Sequence, residues 1–173
     1  MTEAANSHDS SFSPIRVLFV CLGNICRSPA AEGVFLHLLK QRGLEGSFTV
    51  DSAGTGGWHV GKPADTRMKL AAQRRGVQLL SRARQVEMAD LFNFDHILTM
   101  DHDNLLALRE LSKDKLIRAK IEPLMAYGQH SAPSEVPDPY YGGSEGFEHV
   151  LDLIEEACGE LLSRLQASAH SGS

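Results

Sequence analysis

Ile15-Arg16-Val17-Leu18-Phe19-Val20-Cys21-Leu22-Gly23-Asn24-Ile25-Cys26-Arg27-Ser28-Pro29 changes its periodicity half-way along, and that change decides the fold. Ile15 to Val20 is a short, mostly apolar run rich in large side chains, the pattern of a buried strand in a parallel sheet. From Arg27 onward the apolar positions Ala30, Ala31, Val34, Phe35, Leu38 and Leu39 follow helical spacing. Pro29 suits a first helical turn, where a missing N–H costs nothing, and Gly43 supplies a stop. Residues 21–26 therefore join the carboxyl end of a strand to the amino end of a helix, the usual ligand position in an open α/β sheet. Unpaired N–H groups and the positive end of the helix dipole favour an anion there.

The side chains in this loop give the anion site its chemistry. A free cysteine has a pKa of about 8.5, and a helix N-terminus or a nearby cation lowers it to roughly 3.5–7.5, which makes the nucleophilic thiolate. Cys21 has both influences within reach. Arg27 offers a planar fork that holds two phosphate oxygens at once, which lysine cannot reproduce. Gly23 lets backbone amides turn inward, Asn24 tolerates a left-handed conformation, and Ser28 can donate a hydrogen bond to the thiolate or to a leaving sulfur. Leu22, Ile25 and Cys26 complete a phosphate-binding loop from Cys21 to Ser28. A Cys-x5-Arg spacing alone is common by chance; its place between strand and helix gives it weight. Together these residues describe attack on phosphorus with a cysteinyl-phosphate intermediate.

Cleavage of a phosphate ester also needs a proton for the leaving oxygen, and a phenol has a pKa of about 10. Pro137-Asp138-Pro139-Tyr140-Tyr141-Gly142-Gly143 is the best source. Two prolines stiffen the approach to Asp138, two glycines release the chain, and Tyr140 and Tyr141 add flat surface suited to an aromatic ring. Taken without the cysteine loop, the same residues read as an ordinary surface turn.

The rest of the chain bounds the reading. A length of 173 residues with 42% hydrophobic content supports one domain and one core. The expected elements after the first helix are a strand near Ser47 to Ser52, a glycine-rich loop from Gly54 to Gly61, and a helix near Asp65 to Arg75. A short helix near Glu87 to Phe92, a strand at His96 to Met100 and a helix near Asp103 to Leu111 follow. A strand at Lys120 to Leu124 and a long helix from Glu145 to Leu165 complete it. Strands alternating with helices indicate an α/β fold with a mostly parallel sheet. Residues 1–13 and 167–173 read as loose polar tails around a domain at 14–166. The basic stretch Lys113 to Lys120 reads as a solvated surface with a buried ridge at Leu116 and Ile117.

A net charge of −5 argues against general nucleic-acid binding. No apolar run is long enough for a membrane span and no signal-like segment opens the chain, so a cytoplasmic protein is expected. Three cysteines make no disulfide framework. Eight histidines show no metal-ligand spacing, so neither a metal nor a cofactor is expected. Cys158 falls on the apolar stripe Leu151, Ile154, Cys158, Leu161, Leu165 and reads as core. His59 fits either a cleft mouth or a solvated loop.

The motifs C-L-G-N-I-C-R-S-P and D-P-Y-Y-G-G resemble those of the low-molecular-weight protein tyrosine phosphatases. The resemblance spans Ile15 to Leu165 and includes D-S-A-G-T-G-G-W-H-V-G at Asp51 to Gly61, A-R-Q at Ala83 to Gln85, and Met100-Asp101. It implies a three-layer sandwich, a four-stranded parallel sheet with helices on both faces. It implies Cys21 as nucleophile, Arg27 as phosphate clamp and Asp138 as general acid and then base. Asn24, Ser28 and Ser52 resemble residues that hold the loop in shape, Asp101 one that supports it, and Trp58, Tyr140 and Tyr141 the walls of the substrate cleft. The implied partners are phosphotyrosine-containing proteins, and a monomer or weak dimer is expected. Ser81 departs from the family pattern, which often has histidine there in H-x-A-R-Q.

Cys26 has two readings, a small packing residue or a thiol that captures oxidised Cys21 as a disulfide. Two other functions compete with hydrolysis. An arsenate reductase can share this fold and loop but needs further relay cysteines, which the stretch Arg75 to Leu91 does not contain. A non-enzymatic module that binds phosphorylated proteins would normally lack Cys, Arg or Asp, and this chain has all three.

Overall fold

The structure, a computed structural model, describes residues 13–171. Four strands, β1 (Ile15–Cys21), β2 (Phe48–Gly54), β3 (His96–Thr99) and β4 (Ile121–Pro123), form one parallel sheet in the order β2-β1-β3-β4. β1 is interior to the sheet, and its successive side chains enter two separate cores. Val17, Phe19 and Cys21 join one, while Leu18 and Val20 join the other. A strand buried on both faces must be apolar at every position, which explains the unbroken run at its centre.

On the first face lie α1 (Arg27–Gln41), α2 (Thr66–Gln73) and α6 (Ser144–Ser171). Phe35 of α1 packs edge-on against Phe48 and tilted against Phe19, with ring centroids 5.6 Å apart in both pairs. Cys158 is buried in this core. On the second face lie α3 (Met88–Asn93), α4 (His102–Arg109) and α5 (Lys115–Ala119), which contribute Leu91, Leu105, Leu108 and Ile117. The result is the expected three-layer sandwich.

Gly43 does end α1, by a specific device. It sits at φ +70°, and the Gly43 and Leu44 amides donate back to the Lys40 and Leu39 carbonyls at 3.2 and 2.8 Å. This pairing satisfies carbonyls that the helix end would leave bare.

Three expectations need correction. The stretch at Lys113 to Lys120 contains the helix α5, capped by the Asp114 carboxylate accepting from Leu116 N at 2.8 Å. Ile117 is buried as expected, but Leu116 is 80% exposed, because a helix turns the two neighbours to different sides. The helix α6 does not stop at Leu165 but continues to Ser171, since the following residues include neither glycine nor proline before Gly172. The residues from Ala167 to Ser171 are therefore helical rather than a loose tail. The N-terminal tail expected at 1–13 lies outside the described residues except for Ser13.

Phe35→Ala would open a cavity between two other rings in the larger core. An expected loss of about 3–5 kcal/mol, read from urea unfolding, follows from such truncations in well-packed cores.

Candidate active site

Residues 22–26 form the loop because several carbonyls at and beside it are given partners elsewhere. Thr55 N donates to Cys21 O, Gly56 N to Leu22 O, and Asp65 N to Ile25 O, all at 2.8–2.9 Å. Cys26 O accepts from Ala30 N in the first turn of α1. The backbone closes on itself at Asn24, at φ +57°, the non-glycine residue in the left-handed region. Gly54 at the end of β2 has to be glycine: a Cβ there would lie 2.8 Å from Leu22 O and 3.1 Å from Asn24 N.

Asn24 is held at both ends of its amide. Its Nδ2 donates to Ser28 Oγ at 2.8 Å and to Ser52 Oγ at 3.0 Å, while its Oδ1 accepts from Arg84 N at 2.9 Å. Ser52 Oγ in turn donates to Glu32 Oε1 at 2.6 Å. Arg84 is itself fixed by two bonds to the Asp90 carboxylate and one to Asp51. The Cys21 thiol lies inside this frame, 3.0 Å from Ser28 Oγ and 3.2 Å from Asn24 N. Ser28 Oγ accepts from Asn24, and its own proton has two acceptors within reach, the Cys21 sulfur at 3.0 Å and Ala53 O at 3.4 Å.

Arg27 is only 3% exposed. Its Nη1 donates to Asp101 Oδ2 at 2.7 Å and to Val136 O at 3.0 Å, and its Nη2 lies 3.6 Å from Asp138 Oδ2. Burial works against the guanidinium charge, but Cys21, Asp101 and Asp138 more than offset it, so its proton is held more tightly than usual. Asp101 is also the N-cap of α4, where it accepts from Asn104 N at 2.9 Å. One carboxylate thus orients both a helix and the arginine.

Asp138 is 44% exposed and accepts from Tyr140 N at 3.0 Å. It lines a cavity of about 370 Å³ together with Cys21, Cys26, Arg27, Trp58, His59, Tyr140 and Tyr141. Trp58 and Tyr141 stand out into solvent at its rim. The His59 ring is 6.4 Å from that of Tyr140, so of its two readings the cleft mouth is correct. Burial, then Asp65, Cys21 and Asp138, push the Cys26 thiol up to about 12.

Such a site joins a thiol, an inward backbone amide at Asn24, a buried guanidinium and an open carboxyl within one aromatic-walled cleft. The profile of the low molecular weight phosphotyrosine protein phosphatases matches residues 16–171. The chain belongs to that family. A relative from Bacillus subtilis, low molecular weight protein-tyrosine-phosphatase YfkJ, is 45% identical over 153 residues, covering 88% of this chain and 96% of its own. The human low molecular weight phosphotyrosine protein phosphatase is 41% identical over 149 residues, covering 86% and 94%. A crystal structure of a protein tyrosine phosphatase from Entamoeba histolytica superposes with a TM-score of 0.86 at 41% identity, covering 90% of this chain and 99% of that one.

Within this phosphatase fold the candidate site residues named from the sequence line the cleft or bond to groups that do, while Cys158 lies in the core. Glu32, Arg84 and Asp90 belong to the frame too, yet sequence reasoning gave them no role. The motif A-R-Q at Ala83 to Gln85 was the available signal for Arg84. At the departure Ser81, the side chain favours the charged form of the Glu32 carboxyl. Among the described residues no group of three or more His, Cys, Asp or Glu is placed to hold a metal ion, and no helix is long and apolar enough to cross a membrane.

Burial raises the Glu32 carboxyl above its ordinary range, although Ser52 and Ser81 pull the other way. The folded protein therefore holds this proton more tightly than the unfolded chain. Its contribution to stability is present below the ordinary glutamate value and is lost as pH climbs through the raised one. Glu32→Gln removes that slope, so urea midpoints of variant and wild type should diverge in the variant's favour across this window. A pH-independent difference would contradict the assignment.

Proposed function

We propose that the protein hydrolyses phosphotyrosine in proteins, and small aryl phosphates, through a cysteinyl-phosphate intermediate. The observation that carries this reading is the Cys21 sulfur, ringed by Asn24 N and Ser28 Oγ, in one cleft with Arg27 and Asp138. The inward amides and the Arg27 fork would hold the three phosphoryl oxygens. The Cys21 thiolate attacks phosphorus, the S–P bond forms as the P–O ester bond breaks, and Asp138 gives its proton to the departing phenolate. Water then attacks phosphorus as the Asp138 carboxylate takes its proton. The P–S bond breaks, and Ser28 stabilises the thiolate that leaves.

Arsenate reduction is less well supported. The third cysteine, Cys158, is fully buried with its thiol toward Ala31 O at 3.9 Å, so it does not supply a relay thiol at the cleft. A purely binding role leaves the acid unexplained, since Asp138 beside Arg27 adds nothing to the capture of an anion. Free cysteines among the described residues support a reducing compartment, the cytoplasm. The monomer or weak dimer expected from the family remains the reading adopted.

For Cys26 the packing reading is better supported than the redox one. A resolving thiol must itself ionise to attack the oxidised partner, and burial, with Asp65 and the Cys21 charge, raises this one in the resting state, although it lines the same cavity as Cys21. Peroxide treatment followed by thiol reduction should therefore restore wild type and Cys26→Ala to similar activity. Much poorer recovery of the variant would restore the redox role.

Cys21→Ser should abolish hydrolysis of a phosphotyrosine peptide while still binding it. Asp138→Ala should slow turnover by roughly 10²–10⁴-fold for poor leaving groups and much less for good ones. Steady-state assays with two aryl phosphates check both, and unimpaired hydrolysis by Cys21→Ser would refute the mechanism.

A further inference from the structure

We propose that Arg67, outside the cleft on α2, is a positioning residue that holds Asp138 in place for proton transfer. The inference rests on the reading of Asp138 as the proton donor. Arg67 does not line the cavity. What distinguishes it is that it joins the phosphate loop to the acid-bearing segment.

The connection starts at Asp65, whose backbone N donates to Ile25 O in the phosphate loop at 2.8 Å. The Asp65 carboxylate caps α2 and also takes two bonds from the Arg67 side chain, Nε at 3.1 Å and Nη2 at 3.0 Å. Two parallel bonds fix the plane of a guanidinium as well as its position. That plane meets two rings, with its central carbon 5.4 Å from the Tyr140 centroid and 4.7 Å from that of Phe147. Both distances fall within the reach of a cation over an aromatic face. Tyr140 N then donates to Asp138 Oδ1 at 3.0 Å.

A continuous set of contacts therefore runs from Ile25 through Asp65, Arg67 and Tyr140 to the acid. The segment needs such a hold, because Pro137 to Gly143 forms neither strand nor helix. Its anchor on the β3 side is Val136, whose N donates to Met100 O and whose O accepts from Arg27. Arg67 provides a second hold on the far side of Asp138, on a ring two residues away. Lysine can keep the charge near Asp65 but cannot keep the flat fork against both rings.

The test compares kcat/KM for phenyl phosphate, whose leaving group needs the proton, with that for p-nitrophenyl phosphate, whose more acidic phenol needs it less. Arg67→Met should lower the first by roughly three- to tenfold and the second by less than about twofold, as expected for a displaced general acid. Arg67→Lys should show the same selective loss, and it carries the comparison if the methionine variant does not fold. In an Asp138→Asn background, Arg67→Met should cost nothing further, and competitive inhibition by inorganic phosphate should be unchanged in either single Arg67 variant. Equal losses on both substrates, full additivity with Asp138→Asn, or a matching loss of phosphate affinity would overturn the inference. If Asp138→Asn itself slowed both substrates equally, the proton-donor reading would fail. A selective loss for Asp138→Asn without one for Arg67→Met would sink only the role of Arg67.

Discussion

The amide of Asn24 is the joint on which the site depends. Its two donors and one acceptor are all used, toward Ser28 on α1, Ser52 on β2 and Arg84 in the segment before α3. Three separate parts of the chain thus converge on one side chain held at a left-handed backbone position. That conformation costs energy for a residue with a Cβ, and it persists where surrounding bonds over-determine it. Here the return is directional: with the carbonyls of residues 21, 22 and 25 held by other parts of the chain, the Asn24 amide donates to the Cys21 sulfur.

Charge placement follows from the same frame. A guanidinium as buried as Arg27 is costly unless it is paired and hydrogen-bonded, and Asp101 with Val136 O meets both conditions. Since Asp101 is already committed to the N-terminus of α4, the arginine is aimed by a group that is itself fixed. Asp138 differs in kind. It is half-exposed, at a looser 3.6 Å from Arg27, and lies in an irregular segment. In the role proposed for it, proton exchange with substrate and water, that access is an advantage, and Tyr140 N is the neighbour that bonds it.

Sequence reading recovered what depends on periodicity and on motifs. The switch from an apolar run to helical spacing at residues 15–39 locates β1, the loop and α1, and the separation of Cys21 and Arg27 across it names the chemistry. The motif around Asp138 was legible for a similar reason, since two prolines and two glycines constrain a short stretch whatever surrounds it. α5 was missed because five residues are too few to show a period, and its signal, Asp114 as a cap, was absorbed into a basic-looking surface. Glu32 and Arg67 were missed for a different reason. Each looks like an ordinary polar residue of a helix, and its importance arises only when β2 brings Ser52 beside α1, or when the acid segment folds over α2.

The bonds around the loop also reach far along the sequence for so short a motif. Asn24 waits for Arg84, sixty positions later, and Arg27 for Asp101 and Val136, separated from it by 74 and 109 positions. During synthesis the thiol and its loop leave the ribosome before the groups that orient them. A nascent or truncated chain carries the whole Cys21–Ser28 motif without the bonds that hold its carbonyls and its Asn24 side chain. Its cysteine is then an unframed thiol, and the frame arrives with later elements rather than with the motif itself.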